Sequence, residues 1–268
     1  MLKQRVLTAI ALVAVLLFVM LGLPPIATVW LVSVLVLIGG WEWAGFLGAG
    51  SLKARFAFTA ALTLALLACL YGYVVLPGFV QVVMTIAVAW WIAAFLWVCF
   101  APTRVPPVAA TIAGILALAP CWLALVYLTL TTGSTSWVLF TLALVWAADT
   151  GAFFFGRWFG RVPLAPRVSP KKTWEGVIGG VIASALVAWG GAEYVFNVDV
   201  APFVLLCVAV AALSIVGDLT ESMLKRAVGL KDSGTVFPGH GGMLDRIDSV
   251  TAAAPALLFA LLAAGVVA

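Results

Sequence analysis

The chain is a succession of long apolar runs separated by short links. Because a helix rises about 1.5 Å per residue, roughly 20 apolar residues cross the ~30 Å hydrocarbon core of a bilayer. Only helices and closed barrels satisfy their backbone hydrogen bonds inside lipid. Moreover, 9% of the residues are charged, against about 25% in soluble proteins. The sequence therefore predicts an all-α, polytopic transmembrane protein.

We predict nine transmembrane helices, with the N-terminus on the cytoplasmic side. Proline and glycine occupy the short links, as at Pro24–Pro25 and Pro77–Gly78. The first run is longer than a signal-peptide core and is interpreted as a retained helix. The predicted spans are residues 6–23, 26–46, 56–76, 79–100, 108–130, 136–155, 175–195, 201–221 and 248–267.

The positions of lysine and arginine support this number of spans. If the spans alternate from a cytoplasmic N-terminus, all 14 Lys and Arg residues fall on cytoplasmic segments. They lie at Lys3 and Arg5, at Lys53 and Arg55, at Arg104, and within 157–172 and 225–246. This is the positive-inside pattern. The basic loops therefore indicate orientation in a cytoplasmic (inner) membrane, and nucleic acid is not expected as a partner.

The acidic residues divide the chain into two parts. Nine of the ten lie between Asp149 and Asp248, and Glu42 is the exception. Residues 1–135 are therefore interpreted as a scaffold of about five helices. Residues 136–268 are interpreted as a catalytic half, with cytoplasmic loops at 156–174 and 222–247.

The first polar patch is "VWAADTGAFFFGRWFG", residues 145–160. Asp149 lies inside a predicted span, where a carboxylate in lipid costs several kcal/mol. Such residues usually line a polar cavity, and a helix-end carboxylate that reaches water is the alternative.

The second patch is "RVSPKKTWEGVIGG", residues 167–180. Lys171 and Lys172 precede Thr173 and Glu175 at the start of a helix, where free N–H groups add positive potential. The pattern indicates an anion site. A juxtamembrane basic cluster attracted to anionic lipids is the alternative.

The third patch begins with "GDLTESMLKR", residues 217–226. Its polar residues are spaced i, i+3, i+4 and i+7, so they share one helix face. These residues are Asp218, Glu221, Ser222 and Lys225.

The patch continues through "KDSGTVFPGHGGMLDRID", residues 231–248, which contains the single histidine. Asp245 and Asp248 are spaced i, i+3 and, with Asp218, offer hard oxygen ligands for Mg²⁺. Whether a second cation binds beside the Mg²⁺ is left open. The neighbouring Lys and Arg side chains suit phosphate. Gly239, Gly241 and Gly242 allow the backbone to approach a bulky group closely. Carboxylates beside cations predict a phosphoryl-transfer site.

Residues 222–248 resemble the C-terminal hallmark of the phosphatidate cytidylyltransferases, also called CDP-diacylglycerol synthases. That hallmark is Ser-x-apolar-Lys-Arg, four residues, Lys-Asp, then Pro-x-His-Gly-Gly-apolar-x-Asp-Arg-apolar-Asp, and the sequence matches it throughout. The upstream "DTGAFFFGRWFG" and "SPKKTWEG" are similar to this family as well. The resemblance implies transfer of a cytidylyl group from CTP to phosphatidate, releasing pyrophosphate. It also implies Mg²⁺ dependence, contact with membrane lipids and a homodimer.

The residue pattern and the resemblance together assign candidate roles. The predicted catalytic residues are Asp218, Asp245, Asp248, Lys225 and Arg246, and the three aspartates are the predicted metal ligands. The predicted phosphate-binding residues are Lys171, Lys172, Lys225, Arg226, Lys231, Ser222, His240, Gly241 and Gly242. Supporting roles are expected for Asp149, Glu221, Asp232, Thr173 and Glu175. His240 has three open roles: phosphate donor, acid–base group or organiser of its loop.

Three other functions fit a polar site in a helical membrane protein. A CDP-alcohol phosphotransferase needs an Asp-Gly…Ala-Arg pattern, which the sequence lacks. A secondary transporter for an anionic solute places charges near the midplane of inverted repeats, whereas these charges lie at one membrane face. A non-catalytic scaffold would not need an intact set of carboxylates.

Overall fold

The computed structural model describes residues 2–47, 51–100, 105–236 and 241–267, with side chains from residue 11 onward except residue 12. Its helices are α1 (Leu2–Gly22), α2 (Pro25–Trp43), α3 (Leu52–Val75), α4 (Phe79–Phe100), α5 (Pro107–Thr132), α6 (Ser136–Phe159), α7 (Trp174–Gly191), α8 (Val200–Ala227) and α9 (Leu244–Ala263). A 3₁₀ turn (Ala44–Leu47) extends α2, and a π-helical turn (Ala192–Phe196) extends α7. The predicted features at Arg104, Gly239 and His240 lie outside the described residues.

The prediction of an all-α membrane protein is confirmed. Within the described residues, eight helices are long and apolar enough to cross a membrane. The helix α1 adds a shorter apolar stretch, Val13–Gly22. The predicted spans are shorter than several helices: α8 continues to Ala227 and α9 begins at Leu244. Apolar composition marks only the lipid-crossing part, whereas backbone hydrogen bonding continues into the polar turns.

Sequence periodicity did not predict the one hairpin in the described chain. Strands β1 (Pro163–Ala165) and β2 (Ser169–Thr173) pair antiparallel, with Pro163 opposite Thr173. Both strands are too short to show an apolar alternation. The hairpin joins α6 to α7 and carries the Lys171–Lys172 pair toward α8.

Two helices form the centre of the bundle. In α5 and α9, 67% and 61% of the membrane-spanning window is buried inside the protein, against 22% in α3. The outer helices expose large apolar side chains such as Leu64, Phe95 and Leu205. Lipid is as apolar as these side chains, so their exposure is expected in a membrane protein. The polar N-terminus of α9 is therefore held in the middle of the molecule.

Glycines bring α6 and α7 into close contact. A Cβ at Gly151 would collide with the carbonyl oxygen of Gly179 and with Ala183, and a Cβ at Gly179 would collide with Phe155. Small residues at such crossings let helix backbones approach in membranes. This crossing fixes the width of the cleft between α6, α7 and α8.

The Gly151→Ala substitution should destabilise the protein by about 1–3 kcal/mol, because the new methyl group meets a backbone carbonyl that cannot rotate away. Gly190→Ala on α7 is the matched control, since a Cβ there meets no atom within 4 Å. It should be neutral or slightly stabilising, because alanine is the better helix former. Thermal unfolding in detergent measures both variants. Equal melting temperatures would show that the α6–α7 crossing can relax.

Candidate functional site

Five elements meet at the polar end of the bundle. The C-terminal part of α6, the β-hairpin and the start of α7 lie beside the C-terminal part of α8 and the first turn of α9. The three patches predicted from sequence are thus adjacent in space. The ion pairs described below connect them.

A cavity of about 610 Å³ lies between α6, α7, α8 and the hairpin. Ligand sites typically have volumes of about 300–1,000 Å³. The walls are mostly small or apolar residues such as Ala152, Val181 and Ala211. The polar lining residues are Asp149, Arg157, Lys171, Lys172, Thr173 and Asp218. The cavity therefore combines apolar walls with a cluster of charge.

Asp149 on α6 is exposed and lines this cavity. It lies within electrostatic range of Asp218 and Lys172. Asp149 therefore borders the cavity, and its role there stays a prediction.

Two predicted supporting residues anchor the hairpin to α7. The Thr173 hydroxyl accepts a hydrogen bond from the Gly176 N–H at 3.1 Å and so caps α7. The Glu175 carboxylate accepts the N–H groups of Arg161 at 3.1 Å and Val162 at 3.3 Å. These bonds hold the backbone on which Lys171 and Lys172 stand.

Lys172 reaches across the cavity to α8. Its Nζ donates to Asp218 Oδ2 in an ion pair whose side chains are about one quarter exposed. The Ser222 hydroxyl donates to Asp218 Oδ1 at 3.3 Å, one helical turn further along α8. Asp218 thus receives a cation from one side and a hydroxyl from the other.

A glycine brings α8 and α9 together beside this pair. A Cβ at Gly217 would collide with the carbonyl oxygen of Asp248, so the two helix backbones touch there. Asp248 lies within electrostatic range of Asp218, Glu221 and Lys172. Its Oδ1 accepts the N–H of Ser249 at 2.7 Å. Two of the predicted metal ligands, Asp218 and Asp248, are therefore neighbours.

Lys225 balances a second group of carboxylates. Its Nζ lies 2.6 Å from Asp245 Oδ1 and 3.0 Å from Glu221 Oε1. Lys225 is 8% exposed and Glu221 is 2% exposed. The Glu221 distance makes an ion pair, although neither oxygen of Glu221 accepts a well-oriented hydrogen bond in the described chain. Lys225 is thus a buried counter-ion for two helices.

Asp245 is further held by the loop that precedes it. The Ser233 N–H donates to Asp245 Oδ2 at 3.0 Å, and the Gly242 N–H donates to the same oxygen at 2.8 Å. With Lys225 on Oδ1, both oxygens already have donors. The backbone N–H of Gly242, predicted to bind phosphate, is therefore engaged with Asp245 in this state.

The remaining predicted residues lie at the rim. Gly241 has a φ of 81°, the left-handed conformation that glycine tolerates best. Arg226 is exposed and donates to the carbonyl oxygen of Leu230 at 3.3 Å. Lys231, Asp232 and Arg246 are also exposed. These side chains border the site without lining the cavity.

The structure adds two residues that the sequence did not single out. Arg157 lines the cavity from the last turn of α6. Glu42 on α2 binds the start of α9, with its oxygens 2.8 Å from the Leu244 nitrogen and 3.1 Å from the Met243 nitrogen. A single acidic residue in an otherwise uncharged apolar run was the available signal for Glu42.

Asp218, Asp245 and Asp248 differ in how well they could hold a metal. Among the described residues, no three His, Cys, Asp or Glu side chains converge on one point. Mg²⁺ in phosphoryl-transfer sites is usually bound by one or two carboxylates, with water and substrate phosphates completing the shell. The carboxylates of Asp218 and Asp248 lie within electrostatic range of each other and suit that arrangement, whereas Asp245 already accepts hydrogen bonds on both oxygens.

These features define a helical membrane protein with a cavity that has mostly apolar walls and a cluster of carboxylate, ammonium and guanidinium groups. The model of the Cytidylyltransferase family matches residues 3–264. The chain therefore belongs to this family.

Several proteins named phosphatidate cytidylyltransferase are similar to this chain, two of them over nearly its whole length. The protein from Pseudomonas aeruginosa is 39% identical over 271 residues, covering 99% of this chain and 98% of its own length. That from Haemophilus influenzae is 38% identical over 278 residues, covering 95% and 96%. The one from Brucella suis is 48% identical over 126 residues, covering 46% of this chain and 45% of its own.

Lys225→Met should destabilise the protein by about 3–5 kcal/mol, because it leaves the carboxylates of Glu221 and Asp245 without their shared cation. Arg226→Met is the matched control on the adjacent, exposed position and should stay within about 0.5 kcal/mol of the wild type. Reversible unfolding in detergent or bicelles measures both. Equal stability of the two variants would show that Lys225 is not the required counter-ion.

Proposed function

We propose that the protein is a phosphatidate cytidylyltransferase, which converts CTP and phosphatidate into CDP-diacylglycerol and pyrophosphate. The observation that carries the proposal is the cavity between α6, α7 and α8, which has apolar walls and a charged end at Lys171, Lys172 and Asp218. A lipid phosphate is an apolar body with an anionic head, so its two parts match the two parts of this cavity. The full-length similarity to proteins of that name supports the same activity.

The reaction joins two anions, so their repulsion is the first barrier that the site must lower. An oxygen of the phosphatidate phosphate attacks the α-phosphorus of CTP, and the bond to pyrophosphate breaks. A phosphate has its second pKa near ~6, so the nucleophile is already ionised at neutral pH and needs no general base. The site's task is to align the two phosphates and neutralise their charge.

The cationic side chains supply this neutralisation. Lys171 and Lys172 bind the phosphate of the substrate in the cavity, and Arg157 lies close enough to assist. When a substrate phosphate enters, Lys172 exchanges part of its contact with Asp218 for a phosphate oxygen.

Arg226, Lys231 and Arg246 at the rim attract the triphosphate from the aqueous side. In this proposal Ser222, His240 and Gly241 also bind phosphate, and Asp232 has a supporting role.

Mg²⁺ is the proposed cofactor, held by Asp218 and Asp248. When bound, it supplies positive charge to the phosphates and to the leaving pyrophosphate. Asp245 then acts beside this pair, by holding Lys225 and the backbone N–H groups of Ser233 and Gly242 in place. Glu221 lies between the two groups and balances Lys225, and Asp149 balances Lys172.

The proposal places the protein in the bacterial inner membrane, with the site facing the cytoplasm, where CTP is present. The distribution of Lys and Arg supports that orientation. In this proposal residues 1–135 support the catalytic residues of 136–268. We also propose that the protein forms a homodimer.

Purified protein supplied with CTP, phosphatidate and Mg²⁺ should form CDP-diacylglycerol and release an equal amount of pyrophosphate. Radiolabelled CTP followed into the lipid phase measures this turnover. Omitting phosphatidate, or replacing it with diacylglycerol, is the control, because both leave CTP without a phosphate nucleophile. Flux of an anionic solute through proteoliposomes without any turnover would instead favour the transporter.

Lys172→Ala should lower kcat/KM by about 10- to 100-fold, because a charge-assisted hydrogen bond to phosphate is worth roughly 1.5–3 kcal/mol. Arg167→Ala is the matched control, since Arg167 is an exposed cation of the same hairpin segment and does not line the cavity. Steady-state kinetics in mixed micelles measure both. Equal losses in the two variants would indicate a general attraction of the basic hairpin to anionic lipid.

A further inference from the structure

Glu42 is a carboxylate buried in the apolar N-terminal half, far in sequence from the other acidic residues. It lies on the last turn of α2 and is 2% exposed. Its neighbour Trp43, and Val36 earlier in the same helix, are equally buried. A buried carboxylate costs several kcal/mol unless hydrogen bonds or a charge stabilise it. The groups that stabilise Glu42 therefore indicate its role.

Three donors converge on the Glu42 carboxylate, and all belong to the segment around the site. Oε1 accepts the Met243 N–H at 3.1 Å. Oε2 accepts the Leu244 N–H at 2.8 Å and the Ser233 hydroxyl at 3.0 Å. Glu42 thus binds both described ends of the loop between α8 and α9.

Two of these donors are the free N–H groups at the start of α9. Met243, the N-cap residue, forms no side-chain capping hydrogen bond. Glu42 supplies this cap from another helix, and its negative charge is favourable at the positive end of the α9 dipole. The first turn of α9 contains Asp245, so the cap also sets where this carboxylate stands.

Ser233 connects Glu42 directly to Asp245. Its hydroxyl donates to Glu42 and accepts the Asp245 N–H at 3.3 Å, while its own N–H donates to the Asp245 carboxylate. Asp245 in turn binds Lys225. A continuous chain of hydrogen bonds therefore runs from α2 through the loop and α9 to α8.

The glycines of the loop are shaped to Glu42. A Cβ at Gly234 would collide with the Glu42 carboxylate, and a Cβ at Gly242 would collide with both Glu42 and the Ser233 hydroxyl. On the other side, a Cβ at Gly39 would lie 3.2 Å from Ile247 on α9. The loop backbone therefore packs against Glu42 at two separate points. A loosely held carboxylate would not require a glycine at both points.

The geometry points to Glu42 as a positioning residue for cytidylyl transfer: it holds the Ser233 hydroxyl and the α9 N-terminus so that Asp245 and Asp248 face α8. This inference rests on the proposed function. Glu42 acts through Ser233 and α9, and it does not itself touch the cavity described above. An error of about 1 Å in such a site can cost on the order of 100-fold in rate.

Glu42→Gln is the sharpest test, because it keeps the volume of the side chain and replaces one acceptor oxygen by an NH₂ group. In either orientation that NH₂ faces a donor. We expect kcat to fall about 10- to 100-fold per folded molecule, with KM for CTP and phosphatidate within about threefold of the wild type. A variant with a lower melting temperature but wild-type kcat would overturn the inference, since that result describes a purely structural cap.

Ser233→Ala and the double variant Glu42→Gln/Ser233→Ala test whether Glu42 acts through Ser233. If Glu42 acts through Ser233, Ser233→Ala lowers kcat, and Glu42→Gln/Ser233→Ala is no slower than Glu42→Gln within about twofold. Losses that multiply would overturn this coupling. Should Glu42→Gln not fold, wild-type kcat in Ser233→Ala would overturn the inference by itself.

Thr28→Val is the matched control on the same helix. Thr28 is fully buried, and its hydroxyl has no hydrogen-bond partner among the described residues. Its kcat should equal that of the wild type. A comparable loss in Thr28→Val would attribute the Glu42 effect to general disturbance of α2, and so would overturn the inference.

Hydrogen exchange separates failure of this inference from failure of the proposed function. The Met243 and Leu244 amides should exchange about tenfold or more faster in Glu42→Gln, and this measurement needs no turnover. Unchanged exchange would overturn the positioning role even in an active enzyme. Wild-type protein that makes no CDP-diacylglycerol would overturn the proposed function, while faster exchange would still support Glu42 as the clamp on α9.

Discussion

The low dielectric of the packed helix bundle controls how this protein can assemble a charged site. A charge that leaves water there needs a counter-charge or several hydrogen bonds. Lys172 therefore pairs with Asp218, and Lys225 with Glu221 and Asp245. The Lys172–Asp218 and Lys225–Asp245 pairs each join two different elements, so these pairs also fix the positions of the helices.

Glycine brings several of the helices that carry these charges into close contact. Gly217 allows α8 to touch α9 at Asp248, and the Gly151–Gly179 crossing brings α6 against α7. The cavity lies between these two crossings. Glycines at the crossings thus set the dimensions of the cavity. The few charged residues at its end determine its chemistry.

Sequence patterns predicted much of this arrangement, for identifiable reasons. The i, i+4 spacing of Asp218 and Ser222, and of Glu221 and Lys225, placed each pair on one helix face, and both pairs are in contact. Helix existence followed from apolar length. Helix ends were less accurate, because α8 and α9 extend as polar turns beyond the apolar runs.

Sequence alone established the class of protein, the family resemblance and the polar residues that form the site. Those properties depend on local composition, spacing and motif, which a linear chain displays directly. The tertiary structure decided which carboxylates remain accessible to a ligand and which are engaged, as Asp245 is by Lys225, Ser233 and Gly242. It also brought Glu42 to the start of α9, although Glu42 and Leu244 are 202 positions apart in the sequence. Such partnerships arise from helix packing, and no local pattern encodes which distant donors a buried carboxylate will meet.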